Sequence, residues 1–292
     1  MRILIVTFQG DLPLLKLQLE SIKKFLQPCK IDIIINDINC QPVRREIAPI
    51  ILQMKNHTVN ITDGPVNIPS VYGRYFRYQY TSWHVQQLHK IINHIDEPYI
   101  VLDTKEIFVK PTSLEEITRL QQPWYIRDYI AEGRIVSHRK FVDFAFESFD
   151  LLGHPEVRDN PQYLTLRNFT TPFYIDPSML DPVKKVFDYN LEDFYTWFLS
   201  FEYPSEFLLH EVSRQCSGKI IPFSEFQDDD IVTMRHTKIK KFLWNKRTWH
   251  TKIKSNTKIL QIHSNLFLTG TVKDDVWEYF NKLSVDNSSN VQ

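Results

Sequence analysis

The chain has 292 residues, 42% apolar and 24% charged, an ordinary globular balance that allows one large or two modest domains with a real core. Its seven glycines form neither a dinucleotide fingerprint nor a Walker loop, so any phosphate must be held by side chains or helix ends. Three cysteines without close spacing (Cys29, Cys40, Cys216) argue against a zinc site or a disulfide framework and for a reducing compartment.

Arg2 to Phe8 reads as a buried first strand, entered too abruptly for a signal peptide. No apolar run approaches the length of a membrane span, so the expectation is a soluble, cytoplasmic protein. The Asn-x-Ser/Thr matches at Asn56, Asn60, Asn168 and Asn287 carry little weight there. Pro13 to Leu26 is an amphipathic helix with Leu15, Leu19, Ile22 and Leu26 inward, Ile31 to Asn36 a second strand closed by Asp37, Val43 to Met54 a helix, and Thr58 to Ile61 a third strand. Strand, helix, strand, helix, strand is the pattern of a right-handed βαβ sheet. Residues 63–81 carry two prolines and a run of Tyr and Arg with little periodicity, which suits a functional loop or short helix.

The stretch that organises the chain follows. Val85, Leu88, Ile91, Ile92 and Ile95 recur at helical spacing, with Gln86, Gln87 and Lys90 off that stripe, and Asp96-Glu97-Pro98 stops the helix. Tyr99 to Leu102 is a continuous apolar run, as in a strand covered on both faces, and Asp103 to Glu106 stand beyond its carboxyl end, where open α/β sheets bind ligands. After it come a helix at Thr112–Leu120 capped by Thr112 or Ser113, a strand at Trp124–Arg127, a helix at Phe141–Leu152 and a loop-rich connection at 155–175. Helices at Pro177–Phe187, Leu191–Ser200 and Ser205–Cys216, short strands at Lys219–Phe223 and Lys258–His263, and a closing helix at Asp274–Leu283 complete the order. The tail 285–292 is polar and expected to be disordered.

Ile33-Ile34-Ile35-Asn36-Asp37, Trp83-x-x-Gln86-Gln87-x-x-Lys90, Tyr99-x-x-Leu102-Asp103-x-x-x-x-Phe108-x-x-Pro111 and Ser205-Glu206-Phe207 together resemble a family of GT-A-type glycosyltransferases, largely catalogued as a domain of unknown function. The match covers most of residues 1–215. It implies a GT-A-like α/β fold as a single domain over 1–284, with a nucleotide-binding half at 1–130 and a more helical acceptor-binding half at 131–284. It implies transfer of a sugar from a nucleotide sugar, UDP-linked, to a hydroxyl of a glycan or lipid-linked saccharide.

In that family an Asp-x-Asp element holds a divalent metal, and this chain has Lys105 where the second carboxylate stands. Alternation on an extended segment puts Asp103 and Lys105 on one face and Thr104 and Glu106 on the other, so Glu106 does not replace the missing ligand. Charge building on the leaving diphosphate still needs a metal or a fixed cation. The favoured expectation is a metal-independent mechanism in which Lys105 supplies that cation, with Arg74, Arg77 or Lys90 assisting. Manganese or magnesium held weakly by Asp103 and His263 is the rival. A solvated Lys105 and a capping Asp103 are the plain alternatives.

The resemblance further implies donor contacts for Thr7, Gln9, Asn36 and Asp37 at the ends of the first two strands, which are otherwise ordinary turn residues. Gln87 and Lys90 can contact the donor or be solvated, and Arg74 and Arg77 can pair with phosphate or make surface cation–π contacts. Glu206, as acceptor-binding carboxylate or general base, is preferred narrowly over Glu211, and a carboxylate at a helix start is also favourable without catalysis. His210 beside Glu211 lacks the second histidine of a zinc helix and reads as a packed or surface residue. His84, His89 and His94, at five-residue steps, do not share a helical face. Asp228-Asp229-Asp230 reads as a solvated loop.

Net charge is zero, yet Arg235 to Lys258 holds nine Lys/Arg and no Asp or Glu, with Phe242, Trp244 and Trp249 interleaved. A flap over the diphosphate, a nucleic-acid dock and an anionic-membrane contact compete here with plain solvation and packing. One alternative therefore keeps the chemistry and makes hydroxylated bases of phage DNA the acceptor. Another is a sugar-nucleotide-binding protein without catalysis.

Overall fold

The computed structural model describes residues 1–37, 39–64, 81–119, 123–125, 136–159, 165–167, 171–218, 231–234, 257–262 and 278. Strands β1 (Arg2–Thr7), β2 (Lys30–Ile35), β3 (Thr58–Asp63) and β4 (Tyr99–Leu102) run parallel, and β8 (Phe173–Ile175) pairs antiparallel with β4, giving the order β3-β2-β1-β4-β8. Arg-Ile-Leu-Ile-Val-Thr, Lys-Ile-Asp-Ile-Ile-Ile and Tyr-Ile-Val-Leu are the near-continuous apolar runs that a sheet covered on both faces requires. The α/β expectation is met.

Strand alternation deals these residues to two cores. Ile3, Ile5, Ile31, Ile33, Ile35, Ile100 and Leu102 join α1 (Leu12–Phe25) and α2 (Gln41–Gln53) on one side. Leu4, Val6, Ile34, Tyr99 and Val101 join the other side. There they meet α3 (Thr81–Ile91), α5 (Val136–Leu151), α7 (Leu191–Ser200) and α8 (Glu206–Cys216). Asp32 falls between apolar neighbours on β2 and is fully buried. Arg2 Nη1 at 3.0 Å, Asn60 Nδ2 at 3.1 Å and His94 Nε2 at 3.3 Å surround its carboxylate.

α3 stops at Ile91, short of the expected Ile95. Asn93 Nδ2 donates to the carbonyl of His89 at 3.2 Å, and the Tyr99 hydroxyl donates to that of Lys90 at 2.6 Å. Side chains thus take up the last-turn carbonyls that a further helical turn would have used, and Pro98 is not what ends the helix. Two further corrections fall in the second half. The connection 155–175 contains β7 (Thr165–Arg167) and β8, and the helix expected at Pro177–Phe187 is a 3-10 turn at Pro177–Leu180 followed by α6 (Asp181–Val186). Three residues are too few to show a period, and Pro182 restarts the helix where its missing N–H costs nothing. β9 (Ile231–Met234) is likewise unforeseen. The strand expected at Lys219–Phe223, all but residue 278 of the closing helix at Asp274–Leu283, the tail and nearly all of 63–81 lie outside the described residues.

After β4 the chain turns within Asp103–Glu106 and enters a second sheet, ordered β5 (Glu106–Phe108), β10 (Ile259–Ile262), β9. Here α4 (Leu114–Arg119) follows β5, and β6 (Pro123–Tyr125) pairs with β7. The order of the main sheet reverses between β1 and β4. Their carboxyl ends therefore flank the crevice where such sheets accept ligands.

Candidate functional site

The site is built on the turn by which the chain passes from one sheet to the other. The Glu106 amide donates to the Asp103 carbonyl at 3.2 Å, so the segment is a tight turn rather than the extended run that alternation assumed. It is fixed from α1 by Gln18, whose Nε2 donates to the carbonyls of Asp103 at 2.5 Å and Glu106 at 3.1 Å. From β10, the Ile262 amide donates to the Lys105 carbonyl at 3.0 Å. Behind the turn the Glu106 side chain is sealed from solvent. Its Oε1 lies 2.6 Å from Thr171 Oγ1 and 3.0 Å from Gln261 Nε2, which faces it across the β5–β10 pair. Burial, with the nearby Asp103 charge, pushes Glu106 up to about 8, so it is neutral at pH 7.

On the front of the turn four charged side chains alternate in sign. Glu206, at the start of α8, lies 3.1 Å from Lys90 Nζ of α3. Lys90 Nζ lies 2.9 Å from Asp103 Oδ1, and Asp103 Oδ2 lies 2.8 Å from Lys105 Nζ. Exposure grades along the row: the side chains of Glu206 and Lys90 are 2% and 4% exposed, those of Asp103 and Lys105 25% and 37%. The inner pair is sealed and the outer pair faces solvent.

The electrostatics follow from that order. Burial alone would raise the Asp103 carboxyl, but the Lys105 and Lys90 ammonium groups outweigh it and hold the group well below the usual carboxylate range. Burial alone would discharge Lys90, but Asp103 and Glu206 outweigh it and raise its pKa. Asp103 does the same for Lys105 against a smaller burial effect. Burial pushes Glu206 up, with Lys90 opposing. Phe207, stacked on Phe173 at 4.3 Å, lies with its ring centroid 5.2 Å from Lys90 Nζ, so the ammonium is shielded by an aromatic face. Gln87, also buried, places Oε1 3.5 Å from the same ammonium.

The strand-end residues form a second group. The Asn36 amide donates to the Thr7 carbonyl at 2.7 Å, and the Gln9 amide donates to Asp37 Oδ2 at 2.5 Å. Thr7 is fully buried, and its Oγ1 has no hydrogen-bond partner among the described residues. Burial raises the Asp37 carboxyl against the Gln9 amide. The short 3-10 turn Gln9–Asp11 joins the two groups, because the Asp11 side chain hydrogen-bonds Thr104. Burial, helped by Asp103, pushes Asp11 up to about 6.

Asp103, Lys105, Lys90, Gln87 and Glu206 are thus brought together, and Thr7, Gln9, Asn36 and Asp37 are gathered one strand away. Arg74, Arg77, His263 and residues 235–256 lie outside the described residues. Within the basic segment Lys258 is described, and its Nζ lies 2.6 Å from Glu116. His84 reaches the Glu202 carbonyl at 3.1 Å, His89 is buried beside Gly64 and His94 sits on Asp32. His210 is fully buried, with Nε2 3.1 Å from the Asp176 amide.

Sequence reasoning missed Asp11 and Gln18. Gln18 did leave a signal: it lies on the apolar stripe of α1 with Leu14, Leu15 and Ile22, and a polar side chain there needs buried partners. As for a metal, both Asp103 oxygens are engaged by ammonium groups. Among the described residues no three His, Cys, Asp or Glu side chains converge to hold an ion. The described donors alone do not fit a resident manganese or magnesium ion, and His263, the second expected ligand, lies outside them.

No family model and no curated protein matches the chain. Among solved structures it is similar to mouse xyloside xylosyltransferase 1 in its apo form. The TM-score is 0.43 at 9% identity, covering 89% of this chain and 96% of that one. It is also similar to the mannosyltransferase Ktr4p of S. cerevisiae, with TM-score 0.44 at 13% identity, covering 73% of this chain and 65% of that one. Both scores lie below 0.5 and leave the family open.

Proposed function

We propose that this chain is a GT-A-like glycosyltransferase that moves a sugar from a nucleotide sugar, UDP-linked, to a hydroxyl of a glycan or lipid-linked saccharide. The observation that carries the reading is the solvent-facing Lys105 ammonium, 2.8 Å from Asp103 at the crevice between β1 and β4. Breaking the bond between the anomeric carbon and the phosphate oxygen leaves a nucleoside diphosphate with added negative charge. The Lys105 ammonium neutralises that charge, in the place where a metal would otherwise serve. The acceptor hydroxyl attacks the anomeric carbon as the bond to the phosphate oxygen breaks, and its proton passes to solvent water. Gln9, Asn36 and Asp37, along the same sheet edge, are the proposed contacts for the nucleoside, with the fully buried Thr7 beneath them. Glu206 acts here through Lys90, because its carboxylate is sealed.

The test is UDP release from a panel of UDP-sugars, with and without chelator. Lys105→Ala is expected to lower turnover roughly a hundredfold, the scale of losing one electrostatic contact to the leaving group. Turnover abolished by chelator, or unchanged in Lys105→Ala, overturns the lysine mechanism.

One observation favours a second reading, a sugar-nucleotide-binding protein without catalysis: both lysines of the row already have carboxylate partners. Turnover of any sugar nucleotide by the wild-type chain excludes it.

A further inference from the structure

Both solvent-facing charges at the mouth of the crevice are already compensated. Lys105 faces Asp103 Oδ2 at 2.8 Å, and a phosphate arriving there meets a cation whose charge is cancelled by its neighbour. Asp103 is bound on both sides, however, since its Oδ1 lies 2.9 Å from Lys90. Lys90 is itself held by Glu206 at 3.1 Å and is too deeply buried, at 4% exposure, to reach a ligand without the chain opening.

We infer that the row works as a charge hand-off, in which an incoming phosphate takes Lys105 from Asp103 while Lys90 keeps the released carboxylate compensated. This deepens the reading above and rests on it. Asp103 is then an internal competitor for Lys105, and Lys90 and Glu206 are positioning residues that never touch the donor. Without Lys90, Asp103 would have Lys105 as its near counter-ion and would hold it more firmly. Without the Asp103 charge, Lys105 would meet the phosphate with its closest carboxylate partner gone. No bond is made or broken in the exchange. One ammonium–carboxylate contact is replaced by an ammonium–phosphate contact, and total charge is conserved.

The hand-off assigns opposite signs to two neighbouring substitutions, which a simple lysine pocket does not. If Lys90 and Lys105 both bound phosphate directly and Asp103 merely oriented them, removing any of the three would weaken binding. Under the hand-off, Asp103→Asn tightens binding, whereas Lys90→Met weakens it through Asp103 alone.

The experiment is calorimetric titration of inorganic pyrophosphate, and separately of UDP, into the full chain and its variants. Asp103→Asn is expected to lower the dissociation constant at least about threefold, the scale of relieving a partly exposed ion pair. Lys105→Ala loses most of the affinity. Lys90→Met is made together with Glu206→Gln, so that no buried carboxylate is stranded. This pair is expected to weaken binding in the Asp103 background and to have no effect in the Asp103→Asn background. Binding by the wild type with unchanged or weaker affinity in Asp103→Asn overturns the hand-off and leaves the proposed function standing. A Lys90→Met/Glu206→Gln effect that persists in Asp103→Asn also overturns it, because Lys90 would then touch the ligand. Absence of binding by both the wild type and Asp103→Asn removes the hand-off and the proposed function together.

Discussion

His89 is a buried imidazole whose Nε2 has no hydrogen-bond partner among the described residues, wedged where a Cβ on Gly64 would come to 3.0 Å from it. Burial lowers its pKa to about 4, against an ordinary value near 6.5. The folded chain therefore binds fewer protons than the unfolded chain between those values, and stability rises with pH across that window. The neutral imidazole's contribution is fully present above pH 6.5 and is lost as pH falls through about 4. His89→Leu is expected to flatten that acid limb. Unfolding free energies from urea titrations at pH 4.5 and 7.5 should differ less than in the wild type, by an amount on the order of 2 kcal/mol. A wild-type acid loss carried over in full to the variant would show that other groups cause it.

Legibility in sequence was uneven at this scale. Asp103 and Lys105 could be read because they end an apolar run, and Lys90 because it lies off an apolar stripe. Depth could not be read: that Lys90 is sealed and Lys105 open depends on Phe207 and Glu206, brought in from α8. Asp11 gave no local sign, since its partner Thr104 lies on the far side of three strand connections. Alternation correctly paired Asp103 with Lys105, but for the wrong reason, because a turn and not a strand brings them together.

Among elements, the long apolar strands and the helices with a periodic face were legible, and the three-residue strands were not, apart from β6, which overlaps the strand expected at Trp124–Arg127. Helix ends were legible where a side chain caps them. Ser113 and Glu116 form a reciprocal capping box at the start of α4: the Ser113 amide donates to Glu116 Oε2 at 2.7 Å, and the Glu116 amide donates to Ser113 Oγ at 3.1 Å. Lys258 tethers the same glutamate to the strand β10 that follows it. Ser113→Ala is expected to cost about 1 kcal/mol, read as a lowered urea midpoint with an unchanged m-value. A change in m-value would show instead that the variant alters how much of the chain unfolds. The end of α3 was misjudged because Asn93 and Tyr99 act from beyond the helix, where no cap is looked for.

For the whole molecule, the doubly covered parallel sheet was readable from the order of strand and helix signals, because β1, β2 and β4 are mostly apolar and the helices between them have a periodic face. The second sheet was not, since β10 pairs with β5 across most of the chain's length. The ion row spans a comparable separation, joining α3 and β4 to α8. Lys90→Met alone strands the sealed Glu206, and is expected to destabilise the fold by about 3–5 kcal/mol. Adding Glu206→Gln should recover a large part of that loss. A chemical-denaturation cycle over the two single variants and the pair measures the coupling. Losses that simply add would mean that the contact contributes nothing to holding the halves together.

The same row makes the start of α8 a distant listener. A ligand that draws Lys105 outward leaves Asp103 leaning on Lys90, and an ammonium pulled toward one acid slackens its hold on the other. Glu206 and the helix behind it would thus sense whether the crevice mouth is filled, without meeting what fills it.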